Sequence, residues 1–84
     1  MKVKMSLTTD ALKDLKKIDT LQGRKILSKL AWFEKQEDTL SYAKWLYGKD
    51  KQVRFRIGVY RAIGIVKEDT VYIIAVGHRK DIYK

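Results

Sequence analysis

The stretch QVRFRIGVYRAIGIVKEDTVYIIAVG, residues 52–77, constrains this chain more than any other. It holds three runs of strand-forming residues, and the turns between them are too short for a crossover: Gly58 after the first run, residues 67–70 after the second. Runs joined this closely pair as hairpins, so the C-terminal half reads as an antiparallel meander. In the first run Val53, Phe55 and Ile57 alternate with Arg54 and Arg56, the pattern of a half-buried strand with its arginines outward. Arg61 shares parity with Ile63 and Ile65, which turns it inward unless a bulge near Gly58 resets the phase.

The N-terminal half has the other period. KVKMSL alternates Val3, Met5 and Leu7 with polar residues, a short strand. Thr8 or Thr9 then caps a helix with Asp10 in its first turn and Ala11, Leu15 and Ile18 as its apolar stripe. After a turn or helix start around Gly23, a longer helix runs to about Gln36, with Ile26, Leu27, Leu30, Ala31 and Phe33 facing inward. Residues 37–50 have no clean period. Leu40, Trp45 and Leu46 are expected to tuck this connection onto the core, with Trp32 also a core residue. The expected fold is α+β in the order β-α-α-β-β-β, an antiparallel sheet with a two-helix hairpin packed on one face. Eighty-four residues make a single domain, 1–84.

Charge narrows the partners. Nineteen Lys and Arg against ten Asp and Glu leave a net +9, and the half after residue 42 is the more basic. Such a surface suits a polyanion: nucleic acid, an anionic membrane or an acidic protein. The absence of cysteine excludes disulfides and thiolate metal sites, and a lone histidine excludes a His-rich one. No metal or other cofactor is expected. No run approaches the roughly 18 apolar residues of a membrane span, and the first ten residues do not read as a signal peptide. A cytoplasmic protein without membrane contact is the expectation.

Arg54, Arg56, Arg61, His78, Arg79, Lys80 and Tyr83 form the candidate site. Arginine forks match phosphate oxygens two at a time and stabilise the added charge of a phosphorane, yet they are poor bases. His78 titrates near neutrality unaided, and a tyrosine can stack on a base or carry a proton. The set suits metal-independent RNA cleavage, in which the 2′-hydroxyl is the nucleophile and DNA is spared. Each residue also has a plainer reading. Arg54 and Arg56 can be a solvated face, Arg61 can bond a local carbonyl, His78 can be a loop residue, and Tyr83 can pack over the sheet end.

VRFRIGVYRAIGIV followed by EDTVYIIAVGHRKDIY resembles the RelE/ParE superfamily of toxins, RelE-type members more closely. The shared pattern is Arg54, Arg56, Gly58, Tyr60 and Arg61, then Gly77, His78, Arg79 and Tyr83. The resemblance implies a fold like microbial ribonucleases and the toxin role of a type II toxin–antitoxin system. It also implies a ribosome-dependent mRNA endonuclease that cuts in the 30S A site and is neutralised by a cognate antitoxin. By motif, Arg61 would stabilise the phosphorane, Arg79 would contact the scissile phosphate and assist the leaving group, and Tyr83 would stack on the mRNA or help activate the 2′-hydroxyl. Catalysis is thus assigned to Arg61, Arg79, Tyr83 and His78, and RNA binding to Arg54, Arg56, Lys80 and Lys51. Where RelE-type members carry lysines before the hairpin, this chain has Gln52 and Arg54. The general base is then Tyr83, His78 or ribosomal RNA. The alternatives are a ParE-like DNA gyrase inhibitor and a catalytically weakened basic RNA- or ribosome-binding module.

Overall fold

The structure, a computed structural model, describes residues 2–82. Strand β1 (Lys4–Leu7) leads into helices α1 (Thr9–Lys16) and α2 (Thr20–Lys35). A 3₁₀ turn (Thr39–Tyr42) and a short strand β2 (Ala43–Trp45) follow, and then the meander β3 (Gln52–Ile57), β4 (Tyr60–Lys67) and β5 (Thr70–His78). The five strands form one sheet in the order β1-β5-β4-β3-β2.

This is the α+β architecture read from the sequence, with two corrections. The sheet is mixed, because β1 runs parallel to β5. A hairpin rule sees only strands adjacent in sequence, whereas β1 and β5 meet across the whole helical layer. The aperiodic connection also contributes an edge strand, β2, antiparallel to β3; three residues are too few for alternation to show.

The helices cover one face of the sheet. Val53, Phe55, Ala62, Val71 and Ile73 are fully buried beneath Ile26, Leu30 and Phe33 of α2, and the Phe33 and Phe55 rings lie 5.0 Å apart. Thr8 sets the entry to α1. Its hydroxyl accepts from Ala11 N–H (3.3 Å) and donates to Ile73 O (2.8 Å), so one side chain caps the helix and ties it to β5. The inward face of α2 is narrower than expected, since Leu27 and Ala31 are exposed. Trp32 and Trp45 are not core residues. Trp32 packs edge-on to Tyr42 with Lys29 Nζ 4.2 Å above its ring, and Trp45 ends the edge strand, half exposed.

Two helix carboxylates complete the sheet where it lacks a strand. Met5 N–H, on the outer edge of β1, donates to Glu34 Oε2 (2.6 Å). Past the end of β1, Val76 N–H donates to Asp14 Oδ2 (2.9 Å). Both protect edges that would otherwise invite another chain.

The β4–β5 register carries one irregularity, between Ile63 and Gly64. Ile63 pairs with Ala75 and Gly64 with Ile73, so Ile74 is an extra residue in β5. Gly64 lies inward there, and a Cβ on it would collide with Val71 Cγ1 and stand 3.3 Å from Ile73 Cδ1. Gly64→Ala is therefore expected to destabilise by about 1–3 kcal/mol through overpacking, read as a lower urea midpoint. An unchanged midpoint would mean that the bulge relaxes at no cost. Glu68, the first residue of the β4–β5 turn, has φ +56°, a conformation costing an L-residue about 1–2 kcal/mol. Glu68→Gly should raise the midpoint.

Candidate nucleic-acid interface

Residues opposite one another across a sheet share a face, so the register assigns every strand side chain. The face away from the helices consists of four rows. At one end Arg56, Arg61 and Gly77 lie side by side. The next row holds Lys44, Arg54, Ile63 and Ala75, and the third Gln52, Ile65, Tyr72 and Ser6. At the far end are Lys67, Thr70 and Lys4. All six strand cations (Lys4, Lys44, Arg54, Arg56, Arg61 and Lys67) fall on this face. All ten Asp and Glu of the chain lie outside the strands. Two of the cross-strand pairs, Lys44–Arg54 and Arg56–Arg61, set like charges directly opposite one another. Such pairs oppose folding.

Arg61 thus lies outward, on the face of Arg54 and Arg56. The parity reading turned it inward because Ile63 and Ile65 looked like the buried set. In fact the helix-facing set of β4 is Tyr60, Ala62, Gly64 and Val66, whose small central residues let the helical layer approach closely. No bulge near Gly58 is involved, and Ile57 pairs with Tyr60 across a two-residue turn with Gly58 at φ +59°. Although on the outer face, Arg61 is only 8% exposed. Its Nη1 donates to Gly58 O (2.9 Å) and Tyr60 O (2.8 Å), locking the guanidinium onto the hairpin turn.

The bulge at Ile74 decides where the end of β5 points. Counted evenly from Val71, the alternation would send His78 outward and Arg79 inward. The extra residue reverses this for His78. Val76 is buried under the helices, and His78, paired with Tyr60, follows it to the helix face. There the His78 ring meets Tyr60 edge-on at 5.8 Å and borders a hollow with Asp14, Lys17, Asp19 and Asp81. Its Nδ1 accepts from Lys80 N–H (3.1 Å). His78 is therefore separated by the sheet from the arginines with which the sequence grouped it. Arg79 N–H donates to Val59 O (2.8 Å), one step past the Tyr60–His78 pair, and Arg79 is exposed in the turn that follows β5.

Gly77 does not leave a gap. A Cβ there would lie 3.4 Å from Ile82 Cδ1, so Ile82 folds back over Gly77 beside Arg61. Asp81 and Ile82 N–H both donate to His78 O (2.8 and 3.0 Å), closing this last turn. Lys80 is exposed within it. Lys51 is exposed at the far end of β3 from Arg56, where its carbonyl accepts from Val66 N–H (2.8 Å). Tyr83 lies outside the described residues. The structure thus sets Arg54, Arg56 and Arg61 on one face, with Arg79 in the turn at its end, and leaves out His78 and Lys51. It adds Lys44, Lys4, Lys67 and Tyr72, all invisible without the register. Among the described residues no group of three or more His, Asp or Glu is placed to hold a metal, and no helix is long and apolar enough to cross a membrane.

Fold and face together define a small α+β protein with a helical layer on one side of its sheet and six strand cations on the other. The chain belongs to the ParE toxin family of type II toxin–antitoxin systems, whose family model matches residues 5–83. No curated protein matches it significantly. Among solved structures, a chain of the RelBE2 toxin–antitoxin complex of Mycobacterium tuberculosis is similar over 94% of this chain and 100% of its own, at 24% identity and TM-score 0.77. A chain of the RelB–RelE complex of Methanococcus jannaschii matches over 92% and 93%, at 27% identity and TM-score 0.69. A double arginine-to-alanine variant of Escherichia coli RelE in the free state matches over 99% and 92%, at 20% identity and TM-score 0.72.

The Arg56–Arg61 pair separates binding from folding. Arg56→Gln removes a like-charge contact of about 0.2–1 kcal/mol, so its urea midpoint at low salt should equal or exceed that of the parent chain. A clear drop would mean that Arg56 is held by stabilising contacts and is no measure of the face.

Proposed function

We propose that this toxin is a metal-independent endoribonuclease that cuts mRNA on the ribosome, with the open sheet face as its RNA-binding surface. The observation that carries the reading is the cross-strand pair Arg56–Arg61, two guanidinium groups side by side on the face away from the helices. Opposed cations cost folding energy, and an anion held between them would offset that cost. In the proposed reaction the 2′-oxygen loses its proton and attacks the adjacent phosphorus. The P–O5′ bond breaks and the 5′-oxygen takes up a proton, leaving a 2′,3′-cyclic phosphate and a 5′-hydroxyl. Arg61, tied by Nη1 to the turn, presents its remaining donors in a fixed plane, as a preorganised oxyanion site requires. Arg79 neutralises the leaving side. His78 is across the sheet, so proton transfer falls to Tyr83 or to ribosomal RNA. A RelB-like antitoxin is the proposed partner, by analogy with the complexes above, and the proposed site of action is the cytoplasm.

A second reading rests on the family model itself, which is that of ParE toxins, together with the lack of any near-neutral titrating group among the described residues of the face. It makes the chain a DNA gyrase inhibitor that binds without cutting.

Expression without the partner, followed by primer extension on cellular mRNA, separates the two. Fresh 5′ ends within codons are expected. Intact transcripts with inhibited supercoiling by purified gyrase would establish the second reading. Arg79→Ala should slow cleavage about a hundredfold or more, the scale of a lost oxyanion donor, with its fold intact. Arg61→Ala is the poorer probe, because it also frees two turn carbonyls at a cost of about 1–3 kcal/mol.

A further inference from the structure

We infer that Tyr72 is a stacking position for a base of single-stranded RNA lying along the open face. The inference rests on the RNA reading above and carries it from the phosphates to the bases. Tyr72 sits on β5, second of the five strands, with Ile65 opposite on one side and Ser6 on the other. Ser6 is small and leaves one flank of the ring uncovered. Tyr72 is 39% exposed, and among the described residues no other aromatic ring packs against it. Its surroundings are apolar in the middle and cationic at both ends. Ile63 and Ile65 form a half-buried shelf beside it. Lys4 and Lys67 flank Thr70, one row beyond.

Arg61 lies four residues from Ile65 along β4, about 13 Å at the usual strand rise. A strand of RNA anchored by phosphates at Arg56 and Arg61 and again near Lys4 and Lys67 would cross the shelf between them. An aromatic ring between cationic ends is the combination by which sheet proteins hold unpaired bases. Duplex DNA has no base free to use it. An acidic peptide would answer the charge but not the ring.

The test is anisotropy of a short fluorescein-labelled oligoadenylate, 2′-O-methylated so that it cannot be cut, titrated with the purified chain at several salt concentrations. Tyr72→Ala is expected to weaken binding roughly 5- to 150-fold, the range for one lost stack, with an unchanged slope of log K against log salt, since no phosphate contact is lost. Tyr72→Thr, which keeps strand propensity, should behave alike, and Tyr72→Trp should bind as the parent does, its added emission quenched by RNA. Arg56→Gln should instead lower the slope by about 1. Parent-like binding by both Tyr72→Ala and Tyr72→Thr, beside a weakened Arg56→Gln, overturns the inference and leaves the RNA reading standing. Parent-like binding by Arg56→Gln as well defeats that reading and the inference with it. A reduced slope in Tyr72→Ala would also overturn stacking, because the ring would then be acting through charge.

Discussion

A single extra residue in β5 decides what this sheet can bind. With Ile74 bulged against Ile63 and Gly64, the strand keeps Val71 and Ile73 under the helices and then shifts phase, so that Val76 and His78 continue the buried side. Gly77 moves to the face of Arg61. Had the alternation run evenly, Arg79 would be directed at α1 and His78 at solvent. The bulge in turn depends on Gly64, where no side chain fits between Val71 and Ile73. A packing constraint in the core thus sets the electrostatics of the surface, which is the usual consequence of a two-residue side-chain period.

Arg61 ties the two levels together. Its Nη1 satisfies two carbonyls of the β3–β4 turn, a structural duty, while its charge faces Arg56 and opposes folding. One residue therefore gives stability locally and withdraws it across the strand. The chain tolerates Lys44 against Arg54 as well. A domain of this size has a small margin of stability. On the proposed reading the Arg56–Arg61 pair is a cost carried for binding, as sites kept for function commonly carry such costs. No Asp or Glu lies within a strand. Asp14 and Glu34 are used at strand edges, and the rest lie on helices, turns and connections.

Much of this was legible in the sequence, and the failures have specific causes. VRFRI announced its two faces because its apolar side is large and its polar side charged. YRAIGIV did not, because its isoleucines lie outward and its inward positions are Ala62 and Gly64; hydrophobicity there points away from the core. The positions of His78 and Arg79 were unreadable because a bulge is a property of two paired strands, not of one. The strand at residues 43–45 and the parallel pairing of β1 were hidden for the same reason. Trp32 and Trp45, expected in the core, are exposed, because Trp32 is on the outer side of α2 and Trp45 ends the edge strand.

Charge on the open face does not by itself choose a target. Six strand cations on one face attract RNA, DNA and acidic peptides alike, with an affinity that falls steeply as salt rises. Discrimination has to come from features that are not charge: a ring that needs an unpaired base, or a reaction that needs a 2′-hydroxyl. The described part of the face carries arginines, which are poor bases, and His78 lies on the other side of the sheet. On the proposed reading, then, the bare domain binds widely and cuts poorly. Selectivity arises where a proton acceptor and an immobilised single strand are supplied together, and a decoding ribosome supplies both. A gyrase inhibitor would need neither, and this makes the chemistry of the cut ends more informative than affinity in choosing between the two readings.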